Sequence, residues 1–290
     1  MSKIKTKNET VKRISQLTVI NPTAAGIDVS DKEMMVAYPI GSGQLEVRCF
    51  GCFTSDLHSI ANTLRKFSIT SVAMESTGVY WHPVYNTIED TMKVVLVNAR
   101  HIKNVPGRKT DISDSKWLAG LLRHGLVKGS FIPPENVREW RELSRLRKTY
   151  TESLTDYKRR VHKLFITANI KIDSVASDLF GLTGNNLINL LCTDSELTFE
   201  NVKELSKGRL KKKAAVLYES LHGYFKDHHR FQLIGMMESI NLFQKQIDRI
   251  NDRLESLTLE HKDLLERLDE IPGIDKKSAQ SILGEVGVTV

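Results

Sequence analysis

The chain has 290 residues, 27% of them charged and 40% hydrophobic. That composition suits a globular protein with room for one large domain or two ordinary ones. No apolar run reaches the ~20 residues of a membrane helix. The basic opening MSKIKTKNETVKR lacks the apolar centre of a secretory signal, so the expectation is a cytoplasmic protein with no membrane partner.

The net charge of +7 is unevenly spread. Between Arg100 and Ile170 there are 16 Lys and Arg against 7 Asp and Glu, and the run KGRLKKK (Lys207–Lys213) holds five positive charges in seven residues. Clustered cations of this kind point to a polyanion, nucleic acid first, against the alternative of ordinary solvated helix faces. The candidate nucleic-acid contacts are Lys103, Arg108, Lys109, Arg123, Arg159, Arg160, Lys211, Lys212 and Lys213.

From about Thr23 to Val97 the pattern is mixed α/β. AAGIDVS is a short apolar strand ending in an acid, and KEMMVAYPI and QLEVRCFGCF alternate around a GSG turn, which predicts an antiparallel meander. TSDLHSIANTLRKF carries a helical stripe with Thr54 or Ser55 as the expected cap. SVAME and KVVLV read as buried strands, with a helix over VYWHPVYNTIED between them and Ser76 or Thr77 as its expected cap. Strands alternating with helices after a meander predict a mixed sheet with helices on its faces. Of the three cysteines, Cys49 and Cys52 form a C-x-x-C inside a strand-like run with no second pair to follow, so small core residues are expected there rather than a zinc or redox site.

After FIPP the character changes. Leu143, Leu146, Tyr150, Leu154, Tyr157, Val161, Leu164 and Ala168 recur at helical spacing in a stretch from Glu135 without Gly or Pro. A looser region follows, with short helices broken at GLTGNN and SKG. A second stripe then runs from Leu233 to Leu268 in alternating steps of three and four, interrupted only by His261. A seam that long predicts a coiled coil, paired either with the first helix or with another chain. LDEIPGIDKKSAQSILGEVG looks like half of a helix-hairpin-helix, with Asp275 where a second glycine is usual; the amides of such a hairpin contact a phosphate backbone.

Four acids stand out. Asp28 ends the first strand, Glu75 ends a central strand, and Asp111 and Asp114 open the helical stretch after PGRK. Adjacent strand ends can present Asp28 and Glu75 to one point, and an i, i+3 pair shares a helix face. Hard oxygen ligands so arranged suit Mg²⁺ or Mn²⁺. Taken singly, Asp111 or Asp114 is more often a helix cap.

GIDVSDKEMMVAY, AMESTGVYWHPVYNTI, NARHIKNVPGRKTDISDSKWLAGLLRHG and IPGIDKKSAQSILGEVG occur in that order. Together they resemble the DEDD transposases of bacterial insertion sequences (family one hundred and ten), which are bridge-RNA-guided recombinases. The resemblance implies a RuvC/RNase H-like domain whose catalytic and metal-binding tetrad is Asp28, Glu75, Asp111 and Asp114. It also implies a guide RNA that pairs with DNA, and a homo-oligomer, dimer or tetramer, joined through the coiled coil. In that family a C-terminal domain supplies a serine nucleophile; Ser278 and Ser281 lie too early in the motif, so a truncated copy with no nucleophilic serine is expected. The expected layout is a basic tail over 1–22, a RuvC-like domain over 23–133, a helical coiled-coil domain over 134–267 and the start of the C-terminal domain over 268–290. The alternatives are a stand-alone RuvC-like nuclease or junction resolvase, an idle nucleic-acid-binding remnant, and an actin-like ATPase. No second phosphate hairpin supports the last.

Overall fold

The computed structural model describes residues 17–41, 43–76, 78–98, 114–193 and 196–288. Asp111, Lys103, Arg108 and Lys109 lie outside these described residues. The chain divides into two compact units, with the boundary between Ile132 and Pro133.

The first unit is built on a five-stranded sheet. Strands β1 (Ala24–Val29), β2 (Met34–Ile40) and β3 (Gln44–Phe50) form the antiparallel meander, and β4 (Ser71–Glu75) and β5 (Lys93–Val97) run parallel to β1. The spatial order is β3-β2-β1-β4-β5, the RuvC/RNase H-like order that the resemblance implies. The parallel pairs need crossovers, and α1 (Thr54–Lys66) and α2 (Trp81–Ile88) supply them. Both pack on one face, where Leu57, Ile60, Leu64, Val84 and Ile88 cover Ile27, Val36, Val72 and Met74. Helix α3 (Asp114–Arg123) covers the other face through Trp117, Leu118, Leu121 and Leu122 on Ala24, Ala73 and Val97. Because β1 is covered on both faces, it reads AAGI rather than alternating polar and apolar. The edge strand β3 keeps Glu46 and Arg48 on a half-exposed surface, which discourages pairing with another edge.

Three local expectations are corrected. Helix α1 is capped by Phe53, not Thr54 or Ser55: the Phe53 N–H donates to Asp56 Oδ2 at 3.1 Å. A carboxylate in the first turn takes up an orphan donor that a hydroxyl would otherwise serve. Ser76 does not cap α2, whose cap is Tyr80; its N–H instead donates to the Val97 carbonyl and extends the sheet. Cys49 is not a core residue but exposed.

The second unit is helical. Helix α4 (Glu135–Thr167, 33 residues) packs against α8 (Asp227–Leu257, 31 residues). The two run antiparallel, since Glu139 pairs with Arg253 while Tyr157 meets Phe243. Between them the chain folds over one end of the pair as α5 (Leu182–Cys192), α6 (Phe199–Leu205), a 3₁₀ turn over Gly208–Lys213 and α7 (Ala214–Ser220), closing an apolar cluster around Leu187, Leu217 and Leu233. GLTGNN opens α5 instead of breaking a helix: Gly184 sits inside it, where a side chain would run into the Leu179 carbonyl. At the other end, α9 (Lys262–Asp269) and α10 (Lys276–Val286) fold back on Trp140.

Both long stripes are modified by this packing. Leu146 is 39% exposed while Arg147 is 5% exposed, so the buried face of early α4 runs Val137, Trp140, Ser144, Arg147. The stripe from Leu233 to Leu268 is not one helix: α8 ends at Leu257, where the buried Thr258 hydroxyl donates to the Leu254 carbonyl. The bend lets Leu265 join Ile250 and Leu254 around Trp140, and the odd residue of the seam, His261, stacks on the Trp140 ring at 6.0 Å. Within the hairpin, Asp275 is the N-cap of α10, accepting the Ser278 N–H at 2.8 Å.

Candidate functional site

The register of the sheet places two of the four acids. Ile27 is paired with Met74 across β1 and β4, and the next step along both parallel strands is Asp28 and Glu75. Neighbouring strands are ~4.8 Å apart and paired positions share a face, so the two carboxylates leave the sheet side by side. Ile27 and Met74 belong to the α1–α2 core, so by alternation Asp28 and Glu75 rise on the α3 face. Both are half-buried.

The third acid is brought to that face by a glycine. A Cβ on Gly26 would run into the Ser115 carbonyl and the Ala119 amide. The first turn of α3 therefore lies directly on β1, two residues short of Asp28. Asp114 is the residue before Ser115 and opens α3, and Ser115 is wholly buried. The far end of α3 is tied down too. The Arg123 carbonyl accepts the N–H groups of Ile20 and Asn21, both at 2.9 Å, and Asn21 Nδ2 donates to the Leu122 carbonyl at 2.8 Å. These bonds satisfy carbonyls that a helix end leaves open and fix the angle at which α3 presents Asp114. Among the described residues, no three His, Cys, Asp or Glu side chains form a group able to hold a metal ion. Asp111 lies outside them.

The candidate basic residues fall into different settings. Arg123 donates Nη1 to the Gly43 carbonyl at 2.9 Å, in the β2–β3 turn. Arg159 pairs with Asp156 one turn earlier at 2.8 Å, and the Arg160 guanidinium lies 5.0 Å over the Tyr157 ring. Lys211, Lys212 and Lys213 are exposed on the 3₁₀ turn after Gly208. Lys207 and Arg209, in the same run but outside the candidate set, line a cavity with Lys213; the signal for them was the run itself. The C-x-x-C thiols face acids: Cys49 Sγ donates to Glu33 Oε2 at 3.3 Å, and Cys52 Sγ donates to the Ser30 carbonyl at 3.6 Å. The hydrogen bond to Glu33 pushes the Cys49 thiol up; burial, then Asp31, does the same for Cys52. These are conditions that disfavour a reactive thiolate.

A mixed sheet in this order, with acids at the carboxyl ends of its two central strands and at the head of the covering helix, defines a RuvC/RNase H-like domain. The family model of the IS110-type DEDD transposases, described as transposase, matches residues 25–169, which is half of the chain. The chain belongs to this family and is a DNA transposase. The match takes in the sheet, α1 to α3 and the long helix α4. A search of curated proteins finds no match to the chain. No helix among the described residues is long and apolar enough to cross a membrane.

Proposed function

We propose that Asp28, Glu75, Asp111 and Asp114 form the catalytic carboxylate site of this transposase, holding Mg²⁺ or Mn²⁺ where a DNA strand is cleaved and exchanged. The observation that carries this reading is the in-register placement of Asp28 beside Glu75, with α3 seated on Gly26 so that Asp114 opens onto the same face. The donor set is all carboxylate oxygen, which fits a hard divalent ion, and divalent-metal dependence accords with the family. When bound, the ion would polarise the phosphodiester and favour its displacement. The protein's own contribution would be positional: neighbouring strand ends carry two of the carboxylates and the head of α3 carries a third. Two carboxylates on adjacent strands repel, and a cation relieves that repulsion.

The same reading assigns DNA and a guide RNA as partners, contacted through Lys103, Arg108, Lys109, Arg123, Arg159, Arg160 and Lys211–Lys213, in a cytoplasmic homo-oligomer. The concentration of cations between Arg100 and Ile170 supports the polyanion partners. The test is Asp28→Asn and Glu75→Gln, each assayed for Mn²⁺ binding by electron paramagnetic resonance and for cleavage of DNA bearing the ends of its own element. Both variants should lose the bound Mn²⁺ signal and cut on the order of a hundredfold more slowly or worse. Unchanged Mn²⁺ binding in both folded variants removes the metal role from these residues.

A further inference from the structure

In the helical unit, a cavity of about 620 Å³ opens between the start of α5 and the 3₁₀ turn over Gly208–Lys213. Its lining mixes Lys207, Arg209 and Lys213 with Val175, Leu182 and Leu210. Leu182 is 68% exposed, an unusual setting for a leucine that opens a helix. The cationic run turns at Gly208, whose φ of +54° bends the chain sharply between Lys207 and Arg209. The Lys207 N–H is pinned to Thr183 Oγ1 at 3.0 Å, and its ammonium donates to the Glu204 carbonyl at 2.9 Å. The turn is thus anchored to the first turn of α5, while the Arg209 and Lys213 side chains stay exposed at the cavity. One acid also lines the space: Asp178, whose Oδ1 accepts the Phe180 N–H at 2.9 Å. Three cations outnumber it. Beside the cavity, Phe180 carries the Lys158 ammonium 5.1 Å over its ring, which extends the positive surface onto α4.

Cations and aliphatic side chains that line one cavity, with Leu182 exposed, match the two halves of a nucleotide. The phosphate takes the charge-assisted donors and the base or sugar takes the apolar side. We infer that this cavity binds one nucleotide unit of a nucleic-acid strand, phosphate against Arg209 and Lys213 and base against Leu182. The inference rests on the nucleic-acid partner proposed above. It goes beyond that reading by separating Arg209 and Lys213, which line the cavity, from Lys211 and Lys212, which stand in the same turn but do not.

That separation supplies the test. The full chain is titrated with a fluorescent single-stranded RNA and with duplex DNA of the same length, over a range of salt. Arg209→Glu with Lys213→Glu should weaken binding at least about tenfold and flatten the salt dependence, by about 0.7 of slope per lost contact on a single strand. Lys211→Glu with Lys212→Glu, an equal change of charge at two contacts outside the cavity, should weaken it several-fold less than the cavity pair does. Leu182→Ser, which leaves charge untouched, should weaken binding with no change in salt slope. The strand type whose binding responds identifies the ligand. Equal losses in the two double variants mean an ordinary solvated cationic face and overturn the cavity. Absence of binding by the unaltered chain overturns both the cavity and the nucleic-acid partner, while leaving the carboxylate site to its own test.

Discussion

The two units of this transposase place their polar residues in opposite ways. In the sheet unit, Ser115 is the one buried polar side chain among the described residues; in the helical unit Ser144, Arg147, Thr183, Ser206, Ser220, Thr258 and Gln280 are all buried. A sheet satisfies its backbone groups across strands and fixes its register by alternation, so its core stays apolar and its acids emerge at the strand ends. Packed helices satisfy their backbone internally, and an apolar stripe permits sliding. Here polar ties specify one arrangement. Arg147 donates to Gln280 Oε1 at 2.7 Å, to the Lys277 carbonyl at 2.9 Å and to Asn251 Oδ1 at 3.2 Å, which joins α4, α8 and α10 at one point. Arg141 and Arg145 hold the end of α10 through the Gly284 and Glu285 carbonyls and the Glu285 carboxylate. One unit is organised for a close approach of backbones, the other for a set of side-chain anchors.

The comparison breaks most easily at Gly26. Gly26→Val forces α3 off β1, so the sheet unit should lose about 3 kcal/mol or more, and the Mn²⁺ binding proposed for the carboxylate site should fall with it. Thermal melting together with Mn²⁺ binding reads both effects; a variant with unchanged melting would show that the close approach is not required. In the helical unit, Arg147→Met leaves the buried Gln280 Oε1 without its donor, at a cost of about 2 kcal/mol. The exposed neighbour Arg145→Met should cost less than about 1 kcal/mol. Hydrogen exchange along α10 should rise in the first variant and much less in the second. If both melt alike, the buried arginine is not the anchor.

A smaller effect is expected from acid. Arg145 holds the Glu285 carboxyl below the usual carboxylate range, against an opposing push from burial. A carboxyl depressed in the folded state stabilises above its unfolded pKa, and that stabilisation is lost as pH falls through the folded value. The pair is half-exposed, so its share is under about 1 kcal/mol after screening. Acid melting of Glu285→Gln should therefore be slightly flatter below pH 5 than that of the unaltered chain, and a steeper curve would contradict the assignment. The smallest effect belongs to Cys49, whose hydrogen bond to Glu33 pushes its thiol up. With Cys52 and Cys192 changed to Ser, alkylation of Cys49 near neutral pH should be slow for an exposed thiol, and Glu33→Gln should speed it several-fold.

Much of the sheet unit was legible because its signals are local. Period-two alternation and tight turns gave the meander, and strands ending in acids marked Asp28 and Glu75 as a candidate pair. The pattern points to Thr54 or Ser55 as the cap of α1 because hydroxyl and carboxylate caps compete at neighbouring positions; in the fold the Asp56 carboxylate serves, lying against Gly51 where a side chain would strike it. The helical stripes were legible as helices, yet Leu146 and Arg147 exchanged roles. Periodicity ranks faces by apolar content, whereas here the partner α10 offers oxygen atoms at that point. The second stripe kept its spacing through a bend that no periodicity reports, because Thr258 can close on its own helix and still leave Leu265 on the inner side.

The order of elements, the acids at the strand ends, the cationic runs and the membership of a transposase family follow from the amino-acid sequence, since each is carried by residues close together in the chain. Tertiary structure alone decided that Asp28 stands beside Glu75, that Gly26 admits the head of α3 and that α8 pairs with α4 of the same chain. It also decided that Arg209 and Lys213 line a cavity while Lys211 and Lys212 do not. These relations join residues distant in sequence, and what sets them is the register of strands and the shape left between packed helices, which no local pattern encodes.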